Sequence, residues 1–218
     1  MITLLYHRIG TDDHLAVHPQ RFRWQMAWLA QHPTVTYELT FDDGTIDFAN
    51  TAWPILMEYG LSATLFVVAG KVGGRADWSG GSGAPLLDWG DLAHLAAQGV
   101  TIGAHGLHHR PLDQLPPAEQ MNSLRTARDR LASQLGLAPA GLAYPYGRHD
   151  AQVCASAAEA GFTHGYTARS GPSVRSTGPY RLRRTLITAD DTPVCFVLKV
   201  RSGYADLTDI RMDLRRLP

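Results

Sequence analysis

Two neighbouring carboxylates follow an apolar run in the first quarter of the chain. In the segment Thr40-Phe41-Asp42-Asp43-Gly44, Asp42 and Asp43 come directly after residues that favour a buried strand. Adjacent carboxylates repel each other, and a divalent cation bound by one of them would remove the repulsion and leave the other free to act as a base. An Asp-Asp-Gly turn whose aspartate caps a following helix would explain the same residues, so the segment alone leaves both interpretations open.

A pair of histidines favours the metal interpretation. His105 and His109 are four residues apart, so that on a helical turn both imidazoles would lie on one face, with Cβ atoms about 5–6 Å apart. Two histidines and one aspartate leave coordination positions open for water and substrate, which is typical of catalytic zinc sites. His108 would point elsewhere. Because any His-rich segment can contain this spacing, the pair gains weight only together with the aspartates.

The elements that must position these residues alternate between short apolar strands and amphipathic helices. The strand candidates are Ile2–Tyr6, Thr36–Phe41, Ala63–Val68, Val100–Ala104, Gly141–Tyr144, Thr163–Thr167 and Leu182–Ile187. The helix candidates are Pro19–Gln31, Ile46–Tyr59, Trp89–Gln98, Ala118–Leu135, Ala151–Ala160 and Pro193–Arg201. Repeated βα units form a mainly parallel sheet, and seven strands fit a small or incomplete β/α barrel better than a doubly wound sheet. We predict an α/β fold with a single domain over residues 1–218.

The polar residues of interest stand just beyond the carboxyl ends of these strand candidates. His7 follows the first strand, Asp42 and Asp43 the second, His105 the fourth and Tyr146 the fifth. In a β/α barrel these strand ends meet on one face, which carries the active site. The order of elements therefore predicts one common pocket for these side chains.

A glycine-rich segment separates the third strand candidate from the following helix. Six glycines lie between Gly70 and Gly83, with Trp78 among them. Glycine at this density favours a mobile loop over a regular element. A barrel would place an active-site loop here, but an insertion without a role fits the composition equally well.

The charge of the chain is balanced overall and uneven along its length. Twenty basic and twenty acidic residues cancel, whereas nucleic-acid binders usually show a basic excess, so no nucleic-acid partner is expected. Residues 169–218 hold ten basic and five acidic residues, a net charge of +5, and residues 1–168 carry −5. The basic C-terminal region could face an anionic surface or a phosphate-bearing substrate, or simply form a solvated rim.

The sequence shows no membrane or secretion signal. No apolar run approaches the roughly 20 residues that span a bilayer. The first ten residues hold too short an apolar stretch for a signal peptide. We expect no transmembrane segment and a cytoplasmic location. The two cysteines, Cys154 and Cys195, provide no disulfide framework.

Three segments, in this order, resemble the polysaccharide deacetylases, carbohydrate esterases that share the chitin-oligosaccharide deacetylase homology domain. The segments are TFDDGTIDFANTAWPILMEYGLSATLFVVAGKVG, LLDWGDLAHLAAQGVTIGAHGLHHRPL and LAYPYGRHDAQVCASAAEAGFTHGYTARSG, and the resemblance covers roughly residues 36–171. It implies a distorted (β/α)7 barrel that binds Zn²⁺ or another divalent metal through Asp43, His105 and His109. The same resemblance implies Asp42 as the general base.

The resemblance also implies contacts with a sugar substrate. The Tyr-Pro-Tyr-Gly segment would line the substrate groove through Pro145 and Tyr146, and the backbone N–H of Tyr146 would donate a hydrogen bond to the oxyanion. Trp78, Trp89 and Tyr146 are candidates for stacking on a sugar ring. For Trp89, packing at the start of a helix is the alternative.

The sequence departs from the commonest family pattern at three points. Gly106 replaces the hydroxyl residue that usually follows the first metal histidine, and Ala143 stands where an arginine often orients the base carboxylate. No Leu-x-His motif near the C-terminus supplies a catalytic acid. The N-terminal segment Leu5-Tyr6-His7-Arg8 is similar, however, to a motif of the poly-N-acetylglucosamine deacetylases, in which the motif order is permuted. The resemblance therefore implies His7 as the acid, with a histidine that caps the first strand as the alternative.

The sequence thus predicts a metal-dependent hydrolase that removes N-acetyl groups from a glycan or glycan precursor containing N-acetylhexosamine. An O-acetyl ester would use the same groups, and a lipid-linked or nucleotide-linked precursor would suit the basic C-terminal region. A carbohydrate-binding protein with weakened catalysis and an amidase for a small cyclic amide remain alternatives. Metal content together with acetate release distinguishes these three functions.

Overall fold

Nine strands are found in the part of the chain that the computed structural model describes, residues 1–11, 13–78, 80–173 and 178–205. They are β1 (Ile2–Tyr6), β2 (Arg8–Ile9), β3 (Ala16–Val17), β4 (Tyr37–Phe41), β5 (Thr64–Val67), β6 (Thr101–Ala104), β7 (Gly141–Ala143), β8 (His164–Tyr166) and β9 (Thr185–Leu186). Seven strands form one parallel sheet in the order β8-β7-β6-β5-β4-β1-β9. Strands β2 and β3 form a separate two-stranded sheet.

The sheet curls until its two edges approach each other. The backbone N–H of Leu182 donates to Gly165 O (2.9 Å), and the N–H of Thr167 donates to Leu182 O (2.8 Å), so the chain just before β9 is bonded to the region of β8. Strand β9 itself pairs with β1. The segment leading into β9 therefore contacts both edges. The predicted α/β class and distorted (β/α)7 barrel are confirmed.

Six α-helices lie within these described ranges, five that connect strands and one that follows β9: α1 (Pro19–Gln31), α2 (Trp53–Glu58), α3 (Trp89–Ala97), α4 (Pro117–Leu135), α5 (Ala151–Glu159) and α6 (Pro193–Ser202). Their ends follow local sequence signals. Asp88 and Asp150 cap the starts of α3 and α5 through side-chain bonds to backbone N–H groups. Gly136 and Gly203, both left-handed, end α4 and α6. No helix in the described ranges is long and apolar enough to cross a membrane.

The predicted helix Ile46–Tyr59 is divided into two parts. A π-helical turn, Phe48–Ala52, precedes α2, and the N–H of Trp53 bonds to Phe48 O five residues back. Proline has no N–H to continue an α-helical ladder, and Pro54 stands at the second position of α2. The wide turn therefore lies between the Asp42-Asp43 segment and the first regular turn of helix.

An aromatic cluster fixes the carboxyl ends of β1 and β4. The ring centroid of Phe41 lies 5.2 Å from Tyr6, 5.9 Å from Phe22 and 4.9 Å from Phe48. All four side chains are buried, and such ring pairs add stability beyond the area that they bury. The residues that follow Tyr6 and Phe41 in the chain therefore start from rigid positions.

The basic C-terminal region is only partly described, since residues 174–177 and 206–218 lie outside the described ranges. Two of its cations are buried. Lys199 pairs with Asp191 at 2.7 Å, and Arg184 pairs with a carboxylate inside the barrel. These two cations do not contribute to a surface that could bind an anion.

Candidate metal and active site

The strand ends bring the predicted residues together at one mouth of the barrel. His7 follows β1, Asp42 and Asp43 follow β4, and His105 follows β6. His105 Nε2 lies 3.7 Å from Asp42 Oδ2 and 3.7 Å from Asp43 Oδ1. His7 carries an electrostatic interaction with both Asp42 and His105. These four side chains, from three strand ends, therefore share one site.

Asp43, His105 and His109 form a set of three possible metal ligands, with one ligand atom from each lying within 4.8 Å of the others. Asp43 Oδ1 is 3.5 Å from His109 Nε2, and the two Nε2 atoms are 3.2 Å apart. Ligands of a tetrahedral zinc ion at about 2.0–2.2 Å are separated by about 3.3–3.6 Å. Asp43 Oδ1 is also buried without a hydrogen-bond partner among the described residues. The donor set and this orphaned oxygen both fit a divalent cation.

The backbone that carries the two histidines is not the helical turn that their spacing predicted. The parallel ladder between β5 and β6 continues past both strands, with His105 N–H bonded to Val67 O (2.8 Å) and Ala69 N–H to Gly106 O (3.1 Å). Because these bonds hold the chain extended, the histidines meet instead through left-handed residues, Gly106 at φ 74° and His109 at φ 54°. The two histidines lie together, as their spacing predicted, but the helical turn predicted to carry them is wrong.

The orientation of His105 comes from a backbone group. Its Nδ1 lies 2.8 Å from Ala143 O, so that Nδ1–H donates and the lone pair of Nε2 faces the site. The surroundings of position 106 also explain why a glycine stands there in place of a hydroxyl residue. A Cβ at Gly106 would lie 3.3 Å from Pro145 Cγ, on a backbone that disfavours side chains.

Asp42 is held by an arginine that the sequence analysis did not identify. Arg184 Nη1 and Nη2 donate to Asp42 Oδ1 and Oδ2 at 2.6 and 2.7 Å, and both residues are buried. Burial alone would raise the pKa of Asp42, but the charges of Arg184 and His105 outweigh it and hold the pKa at about 2. A charged residue within the apolar strand candidate Leu182–Ile187 was the available signal.

The pKa of Asp43 is shifted in the opposite direction from that of Asp42. Burial raises the pKa of Asp43 to about 8, and the charges of Asp42 and Asp47 add to the shift. Burial also lowers the pKa of His105, and it lowers that of His109 to about 2. Neutral imidazoles bind metals, and a cation would relieve the cost of ionising Asp43. The electrostatics of the cluster therefore favour a bound cation.

His7 is partly buried in the same mouth. Its Nδ1 is buried without a hydrogen-bond partner in the described part of the chain. Burial lowers the pKa of His7 to about 4, against the opposing attraction of Asp42. The imidazole is therefore neutral at pH 7 in the unliganded chain.

Two aromatic side chains flank His109, one of the candidate metal ligands. The ring centroids of Trp78 and Tyr146 each lie 4.5 Å from that of His109. Both line a cavity of about 570 Å³ together with Lys71, Asp77, His108, His109, Arg110 and Pro111. Tyr146 is 43% exposed and left-handed, at φ 58°. The open groove therefore begins directly at the candidate metal site.

Trp78 reaches this groove from the glycine-rich segment, which the structure shows as an irregular hairpin. Gly73 N–H bonds to Leu87 O (2.8 Å), Leu86 N–H to Gly74 O (2.9 Å), and Ala76 N–H to Ala84 O (2.9 Å). No regular helix or strand is found among its described residues, in agreement with the predicted loop, and these backbone bonds satisfy the segment's own polar groups.

The other two predicted substrate contacts lie differently. Pro145 is buried and packs beneath Gly106, behind the mouth. Trp89 begins α3 and packs against the hydrophobic core, and it does not line the groove beside His109. The structure therefore brings Trp78 to the groove and places Trp89 in a packing position.

Similarity to known proteins agrees with this geometry. The family model for polysaccharide deacetylases matches residues 30–165, more than half of the chain. YxkH of Bacillus subtilis (strain 168), named as a candidate polysaccharide deacetylase, is 25% identical over 205 residues, covering 85% of this chain and 70% of YxkH. The deacetylase PplD from Streptococcus pyogenes, solved in complex with acetate, has a TM-score of 0.79 at 25% identity and covers 92% of this chain and 97% of PplD. IcaB from Ammonifex degensii shares the fold, with a TM-score of 0.79 at 22% identity, covering 92% and 95%.

A curled parallel barrel with this mouth places the protein in the class of carbohydrate esterases. The chain belongs to the polysaccharide deacetylase family. Membership supports carbohydrate deacetylation as its activity.

Proposed function

We propose that this protein is a metal-dependent deacetylase that hydrolyses N-acetyl groups on a glycan or glycan precursor containing N-acetylhexosamine. The observation that carries the proposal is the cluster of Asp43, His105 and His109, with ligand atoms within 4.8 Å of one another, beside the ionised carboxylate of Asp42. A divalent ion there, Zn²⁺ in the first place, would supply a Lewis acid for the acetyl carbonyl and lower the pKa of water toward about 7.

The chain's own residues provide the proton transfers and the oxyanion contact. Asp42, ionised across the working pH range because its pKa is about 2, accepts the proton of the attacking water. The backbone N–H of Tyr146 donates a hydrogen bond to the developing oxyanion, an interaction typically worth about 3–4 kcal/mol. The left-handed backbone of Tyr146 (φ 58°) is the kind of strain that functional sites retain.

His7 is the acid for the leaving amine. Because burial lowers the pKa of His7 to about 4, the imidazole must gain a proton during turnover before it can donate one. The proton that Asp42 accepts is one source within the same site. The His7 position at the end of β1, next to both β4 and β9 in the sheet, makes an N-terminal acid sterically reasonable.

The substrate is a carbohydrate whose ring stacks on Trp78 or Tyr146 beside His109. A groove of about 570 Å³ lies in the range of about 300–1,000 Å³ that is usual for ligand sites. An O-acetylated sugar would fit the same groups. The proposal includes a lipid-linked or nucleotide-linked glycan as a substrate and a cytoplasmic location for the protein.

Metal analysis and acetate release test the proposal together. The purified protein is expected to bind one equivalent of Zn²⁺ and to release acetate from N-acetylglucosamine oligomers, with activity lost to a chelator and restored by the ion. Asp43→Asn is expected to lose metal and activity, whereas Asp42→Asn should retain metal and lose activity by about 100-fold or more. Sugar binding without acetate release under any divalent metal would indicate a binding protein. Acetate release that persists after chelation would overturn the metal-dependent mechanism.

A further inference from the structure

We infer that Arg184 is the positioning residue of the base, delivered from the strand segment before β9 in place of an arginine at position 143. The inference deepens the proposed function and depends on it. Arg184 is fully buried, and its two terminal nitrogens contact both oxygens of Asp42 at 2.6 and 2.7 Å. A planar guanidinium in this end-on contact fixes the rotation of the carboxylate as well as its charge.

The contact with Arg184 leaves Asp42 with lone pairs that can accept a proton from water in the site. Each carboxylate oxygen has two lone pairs, and the paired nitrogens use one on each. Asp42 Oδ2 still lies 3.7 Å from His105 Nε2, on the side of the candidate metal ligands. Arg184 therefore orients the remaining lone pair of Oδ2 toward the position where water would bind.

Two aromatic rings hold the guanidinium in place. The Cζ atom of Arg184 lies 5.4 Å from the ring centroid of Phe66 and 5.7 Å from that of Tyr166. The same two rings form one buried cluster with Ala143. A long side chain at position 143 would therefore compete with the Arg184 guanidinium for one space, and alanine leaves that space open.

The sheet explains how two different strands reach this space. Ala143 pairs in register with Tyr166 on one side, and Leu182 forms a parallel bridge to Tyr166 on the other side. Arg184 follows Leu182 by two residues, so both side chains lie on the same face of the sheet. Ala143 and the segment from Leu182 to Arg184 therefore lie on opposite sides of β8, and we infer that an arginine can be supplied from either side.

Substitution of Arg184 tests this role. Arg184→Ala is expected to lower kcat about 100-fold or more with KM within about threefold, and Arg184→Lys is expected to recover about tenfold of that loss. Zinc affinity should stay within about threefold, because Arg184 contacts none of the three candidate ligands. Arg125→Ala is the matched control. It removes an exposed arginine–carboxylate pair between α4 and α5, in which Arg125 Nη2 donates to Glu159 Oε1 (3.0 Å), so its kcat should remain near that of the wild type.

A double variant that relocates the arginine to position 143, called the relocation variant, tests the inference even if Arg184→Ala folds poorly. Ala143→Arg combined with Arg184→Ala is expected to fold and to regain at least about tenfold of the kcat lost by Arg184→Ala, whereas Ala143→Arg alone should lower the melting temperature by overcrowding. A folded Arg184→Ala with kcat within threefold of the wild type would overturn the inference. So would a relocation variant that is folded, binds zinc and shows no recovery. If the wild type releases no acetate, the proposed function fails instead.

Discussion

Gly106 lies next to His105, a candidate metal ligand, on a backbone that a side chain would strain. Its φ is 74°, and a Cβ would lie 3.3 Å from Pro145 Cγ. We expect Gly106→Ala to lower the free energy of unfolding by about 2–3 kcal/mol, about 1 from the backbone and the rest from crowding, and to weaken zinc binding through His105. Urea denaturation and zinc titration measure both effects.

Gly136 provides the matched control for this substitution. It has nearly the same backbone conformation, φ 73°, at the end of α4, with no atom within 4 Å of an added Cβ. Gly136→Ala should therefore cost only the backbone strain, about 1 kcal/mol, and leave zinc affinity unchanged. Equal losses in the two variants would show that Pro145 does not crowd position 106.

At the residue scale, the residues of the candidate site could be predicted from local motifs, whereas pairs of residues far apart in the chain could not. Asp43, His105 and His109 were identifiable because their residue types are metal ligands and their strands end at one face. Arg184 was missed because its partner Asp42 is 142 residues away, and no spacing rule connects them. The composition of the region around Arg184 predicts a basic surface, whereas the barrel buries this arginine.

At the scale of elements, the hairpin that carries Trp78 makes a separate prediction. If Trp78 acts as a platform for a sugar ring, Trp78→Ala should raise KM about tenfold and change kcat less than about threefold. Zinc affinity should be unchanged, although the Trp78 ring lies 4.5 Å from that of His109. Steady-state kinetics on N-acetylglucosamine oligomers provide the measurement.

A tryptophan that does not line the groove serves as the control. Trp24 lies on α1, is 39% exposed and contacts Phe196. Trp24→Ala should leave KM and kcat unchanged. An unchanged KM in Trp78→Ala would reject the platform role. A fall in kcat and in zinc affinity would instead show that Trp78 supports His109.

Helices were predicted more closely than the loops between elements. The bounds of α1 match the prediction at both ends, because Pro19 marks its start and its apolar spacing is regular. The turn that carries His109 was predicted wrongly, and the backbone bonds that fold the loop of residues 73–87 were not predicted. Their shapes depend on bonds to neighbouring segments, such as Gly70 N–H to Leu107 O at 2.7 Å, and not on local periodicity.

At the scale of the whole molecule, the barrel followed from the alternation of strands and helices, but its closure did not. Strand β9 is only two residues long, Thr185–Leu186, so the predicted strand Leu182–Ile187 is mostly irregular. The backbone bonds of Leu182 to the β8 side join the two edges. This closure places Arg184 beside Asp42, so that the site depends on the entire sheet.

The buried charges of the site also determine how the stability of the metal-free protein depends on pH. Burial lowers the pKa of His7 to about 4 and of His109 to about 2, so below about 6.5 the unfolded chain binds protons that the folded chain refuses. These histidines therefore destabilise the fold only at pH values under about 6.5. Asp43 behaves in the opposite way. Its raised pKa of about 8 contributes stability that is complete below 3.8 and is lost as the pH rises through about 8.

Above pH 6.5 the contribution of Asp43 should therefore dominate. We expect the free energy of unfolding of the metal-free protein to fall by up to about 1.4 kcal/mol per pH unit between about pH 6.5 and 8. Zinc requires the ionised carboxylate, so zinc affinity should rise up to about tenfold per pH unit over the same range and level off above it. Urea denaturation in the presence of a chelator and calorimetric zinc titration measure the two slopes. Asp43→Asn should abolish both, and a stability slope in Asp43→Asn equal to that of the wild type would assign the pH dependence to other groups.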